Sequence, residues 1–118
     1  MVLMPRKRPS SCCSIRRTRP LSEKRRDRYV AVCKALADPT RIEILRLLAA
    51  QDGPVCACDI VDAFDLSQPT VSHHLKTLTK GGLIVGERNG LWMFYELADE
   101  GIEALESLAS LVGQPARA

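Results

Sequence analysis

Four of the five cysteines fall in two close pairs, Cys12-Cys13 and Cys56-Ala57-Cys58, and these thiols are the residues best suited to chemistry. Thiolates are soft ligands, so the ions they select are soft or borderline: As(III), Sb(III), Cd(II), Pb(II), Zn(II) or Cu(I). A Cys-x-Cys pair can pinch one ion, but two sulfurs rarely satisfy it, so Cys12, Cys13 and Cys33 are the candidates for a third. Cys33 shares an apolar helical stripe with Tyr29, Leu36 and Ala37, which reads as a small core residue. Three sulfurs would give the trigonal site that suits As(III) or Sb(III). All four would give a tetrahedral site for Cd(II), Pb(II) or Zn(II). Cys12 and Cys13 are then either ligands that fold over from an arm or incidental residues within it.

Thiols of this kind also support other chemistry. A disulfide between Cys56 and Cys58 would close a strained ring, whereas Cys12 or Cys13 bridging to either would not, so sensing by thiol oxidation or persulfidation is an alternative. A small thiol oxidoreductase or metalloid reductase is a more distant one. Against an enzyme stand the lack of Cys-x-x-Cys, of a βαβ pattern and of a loop that could cradle arsenate or phosphate. No apolar run reaches the length of a membrane span, and the basic start lacks a signal peptide's apolar stretch, so the expectation is a cytoplasmic protein with no membrane partner. In that reducing compartment cysteines bind metals or sense redox state and do not staple a fold.

The elements that must position these thiols follow from punctuation and periodicity. Residues 1–21, with Pro5, Pro9 and Pro20 and no hydrophobic period, form a basic flexible arm; 22–113 form one domain; 114–118 are a short tail. Residues 1–28 carry ten of the seventeen Lys and Arg and net +8, and the remainder nets −5, a distribution that fits a polyanionic partner. A first helix starts near Leu21. Asp38-Pro39 caps and opens a second, with Ile42, Leu45, Leu48 and Ala49 as its buried face. Gln51-Asp52-Gly53-Pro54 breaks the chain before a short helix from about Cys58 to Phe64. Ser67 caps the next helix, Gln68 to Lys80, and Gly81-Gly82 stops it. Strands at Leu83 to Glu87 and Leu91 to Leu97, joined at Asn89-Gly90, predict a hairpin. A last helix, about Asp99 to Val112, carries Ile102, Leu105, Leu108, Ala109 and Val112. The fold class is mainly α with a β-hairpin wing: a winged helix-turn-helix, expected as a dimer because so small a core gains from a partner.

On the fourth helix, Val71, Leu75 and Leu78 cluster on one side at 100° per residue. The other side presents Thr70, His73, Lys76, Thr77 and Lys80, flanked by Gln68 and Ser72, groups that can reach base edges and phosphates in a major groove. His74 falls beside Leu78 and reads as a packing residue.

Together, Ala35-Leu36-Ala37-Asp38-Pro39-Thr40-Arg41, Cys56-Ala57-Cys58-Asp59, Leu66 to Lys76 and Tyr95-Glu96-Leu97 resemble the ArsR/SmtB family of metal-responsive repressors over about half the chain. The resemblance implies a homodimer joined by first and last helices that blocks transcription from a palindromic double-stranded operator. It implies DNA contacts at Gln68, Thr70, Ser72, His73 and Lys76, with Arg88 the remaining cation of the wing, since Leu91 follows Gly90 where many relatives have a basic residue. Arsenical repressors of the family resemble the chain in their Cys-x-Cys at the third helix. Others bring an arm Cys-Cys pair across the dimer, which implies metal ligands at Cys56, Cys58, Cys12 and Cys13 and As(III) or Sb(III) as inducer. A further family site on the last helix needs histidines. This helix offers Asp99, Glu100, Glu103 and Glu106 and no His, a solvated carboxylate face.

Overall fold

Three helices begin where a short polar side chain can take amides that have no partner inside the helix. The computed structural model describes residues 15–113; Cys12, Cys13, most of the arm and the tail lie outside the described residues. Helix α1 spans Glu23–Leu36, and Ser22 Oγ accepts from the Arg25 amide at 3.2 Å. Helix α2 spans Pro39–Ala49, with the Asp38 carboxylate accepting from the Arg41 amide at 3.1 Å. Strand β1 (Val55–Cys56) leads into α3 (Ala57–Ala63). Helix α4 spans Gln68–Lys80, opened by Ser67, whose Oγ accepts from the Thr70 amide at 3.3 Å. The hairpin β2 (Ile84–Asn89) and β3 (Trp92–Leu97) follows, then α5 (Asp99–Gly113).

The core is where the helical faces meet: Val32, Ile44, Ile60, Val71, Leu78 and Leu83 are almost wholly enclosed. One residue comes from each of α1 to α3, two from α4, and Leu83 from the start of the wing. Each such side chain contributes roughly 1.5–3 kcal/mol by leaving water, so α4 is held by its apolar face and presents its polar face outward. Helix α5 closes over the bend after α4. A Cβ on Gly101 would lie 2.0 Å from the Gly82 carbonyl oxygen, so only glycine permits that approach. Helices α1 and α5 are joined by Tyr29 Oη and Ser107 Oγ at 2.7 Å and by Arg28 donating to the Glu100 carbonyl at 2.9 Å.

Several expectations change. β1 was not foreseen: Val55 and Cys56 pair antiparallel with Tyr95 and Phe94, making a three-stranded sheet in the order β1-β3-β2. Two residues flanked by proline and a helix carry no alternation to read. The hairpin turn is Gly90-Leu91, since Asn89 pairs with Trp92, and Gly90 takes the φ of +65° at the turn's first position. On α1 the buried stripe is Tyr29, Val32 and Ala35, and Cys33 is exposed and not a core residue. The stripe runs one position to the side of the expected one, leaving Cys33 beside Val30 and Ala37 in a surface groove with Leu21 and Leu108. On α2 the buried residues are Ile44 and the expected Leu48, while Ile42 and Ala49 are exposed. The outer half of α5, including Ala109 and Val112, is exposed.

Candidate thiol and DNA-reading site

Cys56 belongs to two elements at once. As the last residue of β1 it is held against Phe94 of the central strand, and as the residue before α3 it occupies the capping position without a side-chain cap bond. Its sulfur is therefore free of the capping role and buried, while Cys58, in the first turn of α3, is exposed. The two sulfurs face each other at 2.7 Å. That hydrogen bond to Cys56, then burial, then the neighbouring charges of Cys56 and Asp59, push the Cys58 thiol up from its ordinary value, with the Asp59 amide opposing. Two thiolates side by side repel. A soft cation placed between them would remove that repulsion, so the pair has the chemistry of a two-sulfur clamp.

Among the described residues, no group of three or more His, Cys, Asp or Glu side chains gathers around one point. The clamp's third ligand, where an ion needs one, is therefore not supplied by the described part of a single chain. Cys12 and Cys13, the remaining ligands expected from the sequence, lie outside the described residues.

The thiols open onto a cleft of about 800 Å³ between α4 and the wing. Gln68, Ser72 and Lys76 line it from α4 and Arg88 from β2, so four of the six residues expected to meet DNA share a wall with Cys56 and Cys58. The other two, Thr70 and His73, are exposed on α4. Thr70 Oγ1 lies 2.8 Å from Ser67 Oγ, so this hydroxyl also serves the helix start. Trp92, Met93 and Tyr95 of β3 complete the cleft, and nothing in the sequence pattern marked them beyond their place in the wing.

A second constellation missed in the sequence fixes the angle of α4. Arg41 donates from Nε to the Ala35 carbonyl at 2.7 Å, and its other guanidinium nitrogen lies 3.2 Å from His74 Nδ1, with Asp38 Oδ2 3.9 Å from that same ring nitrogen. Arg41 thus ties the end of α1, the start of α2 and the middle of α4. Partial burial opposes the charge on Asp38, but the Arg41 amide, the His74 ring, the Thr40 amide and the Arg41 guanidinium together hold its carboxyl below its ordinary value. The signal was present in the run Asp38-Pro39-Thr40-Arg41, which marks a helix start without revealing what its arginine reaches. His74 is half-buried, in keeping with its packing role.

A short helix, a tight connection, a capped helix with a polar outer face and a hairpin wing define a winged helix-turn-helix DNA-binding regulator. A model of the family described as "Bacterial regulatory protein, arsR family" matches residues 38–85. The arsenical resistance operon repressor of Bacillus subtilis (strain 168) is 41% identical over 80 residues, 68% of this chain and 75% of that protein. The cadmium resistance transcriptional regulatory protein CadC homolog of Staphylococcus aureus is 36% identical over 80 residues, 68% of this chain and 65% of that protein. The solution structure of a homodimeric winged helix-turn-helix DNA-binding domain from Mycobacterium bovis, a possible ArsR-family transcriptional regulator, is similar with a TM-score of 0.61. It shares 32% identity, and the match covers 79% of this chain and 87% of that one. The chain belongs to the arsR family of bacterial transcriptional regulators. Among the described residues, no helix is long and apolar enough to cross a membrane.

Proposed function

We propose that this chain is a homodimeric, cytoplasmic repressor that leaves its operator when Cys56 and Cys58, joined by arm thiols of Cys12 and Cys13, take up As(III) or Sb(III). The observation that carries this reading is the shared cleft: the sulfur pair and the DNA-facing residues Gln68, Ser72, Lys76 and Arg88 line one space. Similarity to an arsenical resistance operon repressor supports the choice of ion.

The placement of the two sulfurs side by side supplies the mechanics. An ion bonded to both fixes their separation and directions, so ligation reorients one sulfur relative to the other. Cys56 is anchored in the sheet, so the displacement falls on Cys58 and the first turn of α3. That helix packs on α4, and two α4 helices of a dimer must match successive major grooves. A shift of α3 therefore spoils the fit, and the coupling needed is only about 1–3 kcal/mol.

Dimerisation through α1 and α5 is supported by the apolar side chains left exposed there, Val30, Leu111 and Val112. In the free repressor, Lys76 and Arg88 neutralise phosphates while Gln68, Thr70, Ser72 and His73 face the bases. The test is an anaerobic arsenite titration of the protein on fluorescent operator DNA. Wild type dissociates without added oxidant, and Cys56→Ser and Cys58→Ser remain bound; release from either variant would move the inducer site elsewhere.

A second reading keeps the repressor and changes the signal to Cd(II), Pb(II) or Zn(II), and similarity to a cadmium resistance regulator favours it. Cadmium then releases the operator at lower concentration than arsenite. Signalling by thiol oxidation or persulfidation would instead require an oxidant or persulfide donor for release.

A further inference from the structure

We infer that His74 is a positioning residue of the reading helix, holding α4 for its operator while the imidazole is neutral, so that a proton taken up there loosens sequence-specific DNA binding. This inference rests on α4 being the helix that reads DNA. An arginine side chain has hydrogens to donate and no lone pair with which to accept. The Arg41 guanidinium lies 3.2 Å from His74 Nδ1, so that nitrogen must be the acceptor and the ring hydrogen must sit on Nε2. Protonation places a second hydrogen on Nδ1. It removes the acceptor that Arg41 uses and sets two cations face to face.

The surroundings offer the charged ring no equal replacement. Arg41 is tethered to the end of α1, where Nε donates to the Ala35 carbonyl at 2.7 Å and Nη2 to the Lys34 carbonyl at 3.4 Å. The His74 side chain is only 12% exposed, so water screens the pair poorly. Asp38 Oδ2 stands 3.9 Å from Nδ1, beyond the roughly 2.7–3.2 Å of a hydrogen bond. That same oxygen already accepts from the Arg41 amide as the cap of α2. A charged ring is therefore drawn off Arg41 toward Asp38, and α4 must move with it to close the gap. Among the described residues, the charged or titratable groups facing the ring are Arg41 and Asp38 from the start of α2 and His73 on α4 itself, with ring centroids 5.9 Å apart. Helix α1 contributes the two carbonyls that hold Arg41. Ser72, His73 and Lys76 lie within two positions of His74 on α4, so a shift of this ring displaces side chains expected to meet DNA.

The sign of the pH dependence separates this role from ordinary charge attraction. Acid turns histidines into cations, which tightens binding to any polyanion. The experiment uses the full chain, reduced and free of metal, with a duplex that wild type selects from a random-sequence pool at about pH 8 and an unrelated duplex of equal length. The ratio of the two affinities should fall by about fivefold or more between about pH 8 and pH 5.5 in wild type. His74→Gln, whose amide oxygen can accept from Arg41 and which takes up no proton, should change by less than about twofold over that range. His74→Leu has no acceptor, and its ratio should already be low at about pH 8 and fall no further. Nitrogen-15 spectra of the two histidines in wild type should show His74 Nδ1 without a hydrogen at about pH 8, and its protonation should track the loss of the ratio. A wild-type ratio that holds or rises in acid, an equal fall in His74→Gln, a high ratio kept by His74→Leu, or a hydrogen on Nδ1 at the higher pH would each overturn the inference. If no duplex is selected, DNA reading by α4 fails instead, and the nitrogen spectra still decide whether Arg41 holds a neutral ring.

Discussion

At the scale of single residues, the chemistry turns on two sulfurs that face each other. The raised Cys58 thiol makes pH a discriminator between inducers, because the proton balance differs. Arsenous acid carries its own hydroxyls, which leave as water with the thiol protons, so its affinity should be flat below the raised Cys58 value and fall as pH rises through it. Cadmium ion has no such hydroxyls and must expel the protons, so its affinity should climb with pH until that value is passed. Isothermal titration from pH 6 to 9 reads both slopes; an arsenite affinity that climbs across this range would mean the thiols do not react as a protonated pair. Asp38 gives a stability dependence of the opposite kind. Its carboxyl is depressed in the folded chain, so its contribution is present above the unfolded value and is lost as pH falls through the folded one. Acid unfolding should therefore be displaced in Asp38→Asn, which lacks that titration.

At the scale of elements, the caps and the glycine contact are the points where one change is felt along a whole helix. Ser67→Ala should cost about 0.5–2 kcal/mol by freeing amides at the start of α4, seen as a lower urea midpoint with unchanged slope. Gly101→Ala should destabilise by more than the few tenths typical of a surface change. The added methyl meets the Gly82 carbonyl oxygen, and α5 would have to lift from the bend. Most of this architecture was legible in the sequence, because caps, periodicity and the double glycine are local signals. Ser67, Asp38 and the Val71, Leu75 and Leu78 face of α4 stand as read. Strand β1 was not legible, because its reason to exist is β3, forty residues later, and not any pattern in Val55-Cys56. The misplaced stripes on α1 and α2 have a related cause. An apolar residue such as Ile42 or Cys33 carries the same weight in a helical wheel whether it faces its own core or a surface groove. The thiol pair was visible as spacing; the cleft joining it to α4 and the wing was not, since Trp92, Met93 and Tyr95 come from a strand whose inward side only the fold decides.

At the scale of the whole molecule, the positive charge is distributed to hold DNA while the body stays acidic. Residues 1–28 net +8 against −5 for the rest, a distribution that fits a polyanionic partner. For a dimer, Lys76→Ala should remove two phosphate contacts and reduce the slope of log affinity against log salt by about 1.8. Affinity should fall similarly for operator and unrelated DNA. A Gln68→Ala change should instead compress the ratio between the two. A loss of sequence preference from Lys76→Ala would reassign it from phosphate to base.

The link from sulfur to groove is tested most directly by recording occupancy and release in one sample. Arsenite is titrated anaerobically into the operator complex while ultraviolet thiolate-to-arsenic absorption and operator anisotropy are read together. The two curves should superimpose, with anisotropy reaching that of free DNA when the absorption saturates, and both should vanish in Cys56→Ser/Cys58→Ser. Saturated absorption with anisotropy unchanged would contradict the mechanism: the ion would be bound and the reading helix would not have felt it.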